Sequence, residues 1–364
     1  MQKLCKMPVF ILTMLLLIAL AVCQWLQPTH EISEMENRYL TQKPAITFDG
    51  FWSGDYTMTL EKFAADQIPL RNGFVGAYAT MQAALGRRMV GDALLCADGY
   101  LFDTSAVFTE RNLRLNMDAL KELSAACGKE LWILPVPSAA TVYTEKAPPY
   151  SPLADEEAAL RNVAAEMKMI PVLDVMRARQ DQKLFYAMDH HWSAAGARIG
   201  YEAVCDALGL SPEPAEAIVS HEGFYGGFYA RYPLPWLKAD ILTYEQPEGI
   251  HLIINGQKKE TLADQAALQG RDKYAALLYG NHGCIELINE NVDEGSLLVI
   301  KDSYANAMLP ILARHYHSIT AVDPRYFTDN IKELAAQHEG EEILCICGIS
   351  TLGASRIIAL MEGF

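Results

Sequence analysis

The chain has 364 residues, 51% of them hydrophobic, enough to bury one large core or one domain with insertions. A formal charge of -15 and a pI near 5.1 exclude the basic face that a nucleic-acid partner requires. They fit a soluble body that faces neutral or weakly charged substrates.

At the amino end, Lys3 and Lys6 precede an uncharged apolar run from Met7 to Leu26. A run of about 20 apolar residues spans the hydrocarbon core of a bilayer as a helix. The lysines ahead of it place that end inside and the remainder outside. Ala19 and Ala21 also form an A-x-A cleavage site. Residues 1–27 therefore read either as a signal peptide or as a membrane anchor, and both put the body outside the cytoplasm. The stretch ending at Cys23 faintly resembles a lipoprotein box, with Val22 bulkier than the residue usual there.

Residues 28–60, with Pro28, Pro44 and the DGFWSGDY stretch, read as a tether and an extended arm. From 61 to 364 the pattern is that of an α/β domain. Apolar residues between Leu60 and Leu85 recur at helical spacing, broken by Pro69, and predict one or two amphipathic helices. VGDALLCADGYLF predicts a hairpin with D-G as its turn. A helix over 112–127, closed by Gly128, leads to the buried strand LWILPVP. A helix over 155–167 follows, then a strand at IPVLDV. LFYAM enters the cluster Asp189, His190, His191 and Trp192, after which Ser193 caps a helix running to about Leu208. Such alternation predicts a mostly parallel sheet with helices on both faces.

Residues at about 211–290 break this rhythm as a strand-rich insertion. FYGGFYARYPLPWLK is rich in Gly, Pro and aromatics, and HLIINGQKKETL predicts a hairpin around N-G. The aromatics either pack on the main body or form a wall for a sugar. The α/β pattern resumes with the strand SLLVI, a sharp turn at Asp302 and Ser303, and a helix. SITAV, a helix over 328–338 and the strand EILCICGIS complete the chain. Of Cys96, Cys127, Cys205, Cys284, Cys345 and Cys347, the second and third fall in amphipathic helix patterns and the last two alternate in an apolar run, so core cysteines are expected rather than disulfides. No C-x-x-C pair suggests zinc, and no metal or soluble cofactor is expected.

Ser303 stands at the carboxyl end of a buried strand, where open α/β sheets collect functional groups. By itself it could simply be a helix cap. His191 follows Asp189 by two residues, so the carboxylate can orient its ring, and a neutral imidazole is the natural base for a serine hydroxyl. His190 should point the other way. The D-H-H cluster could equally be a metal site or a capping cluster, but no further ligand stands at a recognisable spacing.

M-D-H-H-W-S, the K-D-S-Y-A-N-A turn, D-K-Y before G-N, V-D-P-R-Y-F, E-N-R-Y-L and D-Q-I-P-L-R together resemble the DHHW family. That family belongs to the SGNH-hydrolase-like group that includes the alginate O-acetyltransferases. The resemblance implies a circularly permuted motif order, with Asp189 and His191 ahead of the nucleophile Ser303. It also implies an oxyanion hole built from the serine N–H, a glycine and an asparagine. Here Gly348 stands where that asparagine would be sought, and Tyr304, Arg325 and Asn281 are the substitutes. The function implied is an extracytoplasmic O-acetyltransferase acting on a cell-envelope polysaccharide through an acyl-serine, its acetyl group supplied by a membrane-bound O-acyltransferase partner. A deacetylase or esterase with the same triad, or a non-catalytic polysaccharide-binding or assembly protein, are the alternatives.

Overall fold

The computed structural model describes residues 7–33, 35, 38–105, 108–216, 218–356 and 358. The flanking Lys3 and Lys6 and part of E-N-R-Y-L lie outside the described residues. The chain forms two compact units, Met1–Arg87 with Pro233–Trp236, and Arg88–Tyr232 with Leu237–Phe364.

In the first unit, α1 (Pro8–Leu26) has 19 residues, a mean hydropathy of 2.5 and no buried positions. At 1.5 Å per residue it is about 28 Å long, close to the thickness of a hydrocarbon core. Among the described residues it is the one helix long and apolar enough to cross a membrane, a measure that a signal sequence also meets. Two further helices, Asp55–Asp66 and Arg71–Ala84, belong to this unit, although the sequence places residues from 61 onward in the α/β domain. Their bonds explain the assignment. Gln27 donates to the Gln67 carbonyl at 2.9 Å, and Arg38 forms a two-pronged ion pair with Asp66 at 2.6 and 3.1 Å. The Arg38 guanidinium holds the Asp66 carboxyl well below the ordinary carboxylate range.

The second unit is built on an eight-stranded sheet. Its strands are β1 (Glu130–Val136), β2 (Lys168–Met169), β3 (Ile250–Ile254), β4 (Gln257–Lys258), β5 (Cys284–Asn289), β6 (Ser296–Lys301), β7 (Ser318–Val322) and β8 (Glu342–Gly348), in the spatial order β4-β3-β5-β7-β6-β8-β1-β2. From β7 to β2 every pairing is parallel, whereas β5, β3 and β4 extend the edge by antiparallel pairings. The central strands are apolar almost throughout because both of their faces are covered.

One face carries α2 (Glu110–Cys127) and α3 (Glu156–Glu166). Thr109 accepts from the Asn112 N–H to start α2, and Gly128, at φ 69°, ends it. Leu113, Met117 and Leu120, at helical spacing, pack on Ile133, Ile300, Ile343 and Cys345. The opposite face carries α4 (Ala194–Leu208), capped by Ser193 as its sequence predicts. The carboxyl-terminal helices α5 (Ile331–Gln337) and α6 (Ile349–Ala354) join the α2 side.

Three sequence expectations change. IPVLDV does not form a strand: pairing stops after Ile170 donates to the Ile133 carbonyl, and Leu173–Ala178 turns helical beyond Pro171. The insertion is strand-rich, but β3 and β5 add to the main sheet, leaving only Ile218–Phe224 and Asp240–Glu245 as a separate pair. The predicted N-G turn joins β3 to β4, with Asn255 and Gly256 both at positive φ, and D-G at Asp98 and Gly99 likewise reverses the chain. The helix expected after Ser303 is replaced by short turns, Ser303–Ala307, Leu309–Leu312 and Ala313–His315. Every described cysteine is free, with Cys345 and Cys347 buried in the core.

Asn116, fully buried in α2, holds the chain beyond β8 by donating to the Leu352 and Ser355 carbonyls at 2.8 and 2.7 Å. Its Oδ1 accepts from the Ile358 N–H. Asn116→Ala should cost about 2–4 kcal/mol, since several buried backbone groups lose their partner at once. Urea unfolding midpoints measure this, and an unchanged midpoint would show that water replaces the side chain.

Candidate active site

β6 delivers Lys301, Asp302 and Ser303 to the carboxyl edge of the sheet. Asp302 Oδ1 accepts from the Tyr304 N–H at 3.0 Å, while its Oδ2 accepts from the Gly348 N–H at 2.8 Å and from Thr351 Oγ1 at 2.9 Å. Asp302, not Ser303, is thus the cap of the turn, and the serine hydroxyl is left for another partner. The turn is too short for a substantial helix dipole. What it does offer is the Ser303 amide, the first N–H of the turn, which has no acceptor within it.

The second half of the site comes from a tight loop. Phe185 bridges to Trp192, and the Tyr186 and Ser193 N–H groups donate to the His191 and Leu184 carbonyls at 3.2 and 2.8 Å. Between these bonds the chain folds Asp189 back onto His191. Asp189 Oδ1 accepts from the His191 N–H at 3.0 Å and lies 2.5 Å from Nδ1, and Oδ2 accepts from the Gly227 N–H at 3.0 Å. His191 Nε2 is 2.8 Å from Ser303 Oγ. A carboxylate can only accept, so the proton sits on Nδ1, and the Nε2 lone pair is left to take the serine hydroxyl's hydrogen. Asp189, His191 and Ser303 are 5%, 7% and 9% exposed. Burial pushes the Asp189 carboxyl up, but the two facing imidazoles and the Gly227 N–H outweigh it and hold the group well below its ordinary range.

Two further bonds join the halves. Trp192 Nε1 donates to the Tyr304 carbonyl at 2.8 Å, and the Tyr304 hydroxyl donates to the His190 carbonyl at 2.7 Å. Tyr304 is therefore a tie between the loops. Arg325 is also committed, donating to both oxygens of buried Asp323 at 2.8 and 2.6 Å. The Gly348 N–H belongs to Asp302. Asn281 Oδ1 accepts from Asn306 at 3.4 Å, which leaves its own amide hydrogens. His190 does not point away as the sequence suggests. Its ring packs on the ring of His191 at 3.7 Å, with Nδ1 3.7 Å from Asp189 Oδ1, because the loop is too tight to separate neighbouring side chains.

The structure adds residues that the sequence reading did not assign to the site. Tyr274 stacks flat on His191, with ring centroids 3.6 Å apart, and its hydroxyl donates to the Ser303 carbonyl at 3.1 Å. The signal was the D-K-Y motif. Gly226 and Gly227, read as part of an aromatic insertion, back the Asp189 carboxylate; a Cβ on Gly226 would lie 2.3 Å from that of Asp189. Lys301, with no exposure, donates to Asn306 Oδ1 at 2.7 Å and lies 3.9 Å from Asp323. Burial lowers its pKa to about 8, against the opposing pull of Asp323.

Asp189, His190 and His191 present potential metal-ligand atoms within 4.8 Å of one another. Both His191 nitrogens are already engaged, one by Asp189 and one by Ser303, so a cation there would have to break the chain of hydrogen bonds. The donor set fits proton transfer better than metal ligation.

The sheet, parallel at its centre with helices on both faces, is an SGNH-hydrolase-like α/β fold. Residues 94–222 match the family model described as SGNH hydrolase-like domain, acetyltransferase AlgX. More particularly, residues 160–322 match the model of the DHHW protein family, whose four letters stand here at Asp189, His190, His191 and Trp192. Among solved structures, a DHHW family protein from Eubacterium siraeum DSM 15702 is 18% identical with a TM-score of 0.66, over 76% of this chain and 96% of that one. Bacillus cereus PatB1 with a sulfonyl adduct is 18% identical with a TM-score of 0.60, over 73% of this chain and 98% of that one. At such identities the likeness is one of fold. A search of curated proteins finds no match.

Gly226→Ala should displace Asp189 or the Met188 carbonyl and destabilise the unit by about 1–3 kcal/mol, visible as a lowered urea midpoint; wild-type stability would mean the loop yields freely. Lys301 gives a pH test. Its folded pKa, about 8, lies below the unfolded value of about 10.4, so between these the unfolded chain binds more protons and stability rises with pH. From pH 7 to 10 the wild type should gain on the order of 2 kcal/mol relative to Lys301→Met. A constant gap across that range would show that Lys301 titrates normally.

Proposed function

We propose that this protein is an extracytoplasmic serine O-acetyltransferase that acts on a cell-envelope polysaccharide, tethered to the membrane by α1 unless that segment is cleaved. The observation that carries the reading is the continuous chain from Asp189 through His191 to Ser303, at 2.5 and 2.8 Å. Similarity to the domain of the acetyltransferase AlgX supports acyl transfer as the reaction class.

In the first step Ser303 Oγ bonds to the acetyl carbonyl carbon while its proton passes to His191 Nε2. Asp189 stabilises the resulting imidazolium. The tetrahedral intermediate collapses as the donor's oxygen leaves with that proton, giving acetyl-Ser303. A sugar hydroxyl then attacks the same carbon, its proton goes to His191, and the serine regains a proton as the sugar ester departs. Negative charge on the carbonyl oxygen would be met by the Ser303 N–H, with the uncommitted Asn281 amide as the second candidate donor. Gly348 and Tyr304 are poorer candidates because their donors are already bonded, and Arg325 because Asp323 holds its guanidinium in place. The acetyl donor would be supplied by a membrane-bound O-acyltransferase. Water in place of the sugar would make the same triad an esterase.

The purified full chain, assayed with a chromogenic acetyl ester, should lose about 10³-fold or more in kcat on Ser303→Ala or His191→Ala. Asp189→Asn should lose on the order of 10³–10⁴ by presenting the wrong tautomer. Turnover that survives Ser303→Ala would remove the acyl-serine. Product analysis with added oligosaccharide separates transfer, which yields an acetylated sugar, from hydrolysis, which yields acetate alone.

A further inference from the structure

A cavity of about 350 Å³ opens beside the triad, and its wall includes the residues flanking both halves, His190 and Tyr304. It is larger than an acetyl group needs and falls within the range of small-molecule sites. Glu156, at the start of α3, forms part of the wall and is only 4% exposed. Both of its hydrogen bonds end on Oε2, from the Ser138 N–H at 2.8 Å and from Thr141 Oγ1 at 2.7 Å, so Oε1 is the acceptor that remains for whatever the cavity holds. Burial pushes this carboxyl up, against those two donors and the nearby Ser138 hydroxyl. A carboxyl oxygen that lines a cavity can accept a hydrogen bond from a ligand hydroxyl.

The rest of the wall is mixed. Phe102, Leu153 and Phe228 offer apolar surface, and Ser138 and Thr141 offer hydroxyls. Such a wall suits a ring with C–H faces and a hydroxyl edge. Its charge is one-sided, since Asp103, Asp155, Glu156 and Glu157 are set against a single guanidinium, Arg231. That guanidinium is already held by Asp92 at 2.9 Å and Asp103 at 3.3 Å. A uronate carboxylate would therefore meet an excess of like charge in this wall, with Arg231 Nη1 already shared between two aspartates.

We propose that this cavity is the sugar subsite of the reaction, that it takes an uncharged hexose unit rather than a uronic acid, and that Glu156 Oε1 fixes the ring by accepting a hydrogen bond from it. The inference rests on the acyl-transfer reading of Ser303 for its place in the reaction, but the binding can be measured without chemistry. Calorimetry on the full-length Ser303→Ala chain, titrated with cellotetraose, tetra-N-acetylchitotetraose and tetragalacturonate, is the test. At least one neutral tetramer should bind, and tetragalacturonate should bind tenfold or more weakly.

Adding Glu156→Gln should lower the neutral tetramer's affinity about tenfold. The glutamine oxygen can take over the bonds to Ser138 and Thr141, which leaves an amide N–H group where the cavity now meets an acceptor. Ala154→Phe, at a half-exposed part of the wall, should occupy the cavity and abolish binding; melting temperatures verify that both variants fold. The inference is overturned if neither neutral tetramer binds, if tetragalacturonate binds as well as they do, or if folded Glu156→Gln and Ala154→Phe chains bind like their parent. Ester turnover without sugar binding overturns this inference alone, whereas sugar binding without turnover overturns only the acyl-transfer reading.

Discussion

The site depends on a clamp between two loops that are 112 residues apart in sequence. Trp192 donates to the Tyr304 carbonyl, Tyr304 donates back to the His190 carbonyl, and between these bonds His191 Nε2 faces Ser303 Oγ. A serine and a histidine on separate loops would ordinarily drift apart by more than a hydrogen bond tolerates. Here each loop's own backbone is bonded to a side chain of the other, so the distance between Ser303 Oγ and His191 Nε2 is set by buried aromatic side chains. The two indole and phenol bonds lie in low-dielectric surroundings, where losing a partner is costly.

The same economy of roles runs through the surrounding shell. Asp302 neighbours the serine but serves the backbone: it closes the turn and draws in the Gly348 N–H and Thr351. Asp323 holds Arg325 and lies near Lys301, which in turn supports Asn306 in the serine's own turn. The charged residues under the site therefore act on conformation, while the Asp189 carboxylate alone is aimed at an imidazole. Gly226 shows the tolerance involved, since no side chain fits between it and Asp189.

Tyr274 has a position that neither loop could supply by itself. It comes from the segment before β5, lays its ring on His191, and bonds to the Ser303 carbonyl. It shields the imidazole from water on one face and leaves the His190 side for the cavity lined by Glu156 and Phe228. The site thus has a closed wall and an open one, and the open wall carries an excess of carboxylates.

Local chemistry made much of this legible from residues alone. Gly128 closes α2, Ser193 caps α4, and N-G and D-G reverse the chain, because caps and positive-φ turns depend on a few adjacent atoms, although α2 begins at Glu110, two residues before the expected start. The apolar runs of β6 and β8 likewise announce strands covered on both faces, and D-x-H two residues apart announces an oriented imidazole. Other features had no local signature. Whether Ser303 or Asp302 caps the turn, that β3 and β5 join the main sheet, that His190 stacks on His191, and that Tyr274 and Gly226 border the site were all decided by which surfaces meet in three dimensions. The division between the two units was decided in the same way. Periodicity reports which face of an element is apolar; it does not report what that face will be pressed against, and here the partner fixed the role of each side chain.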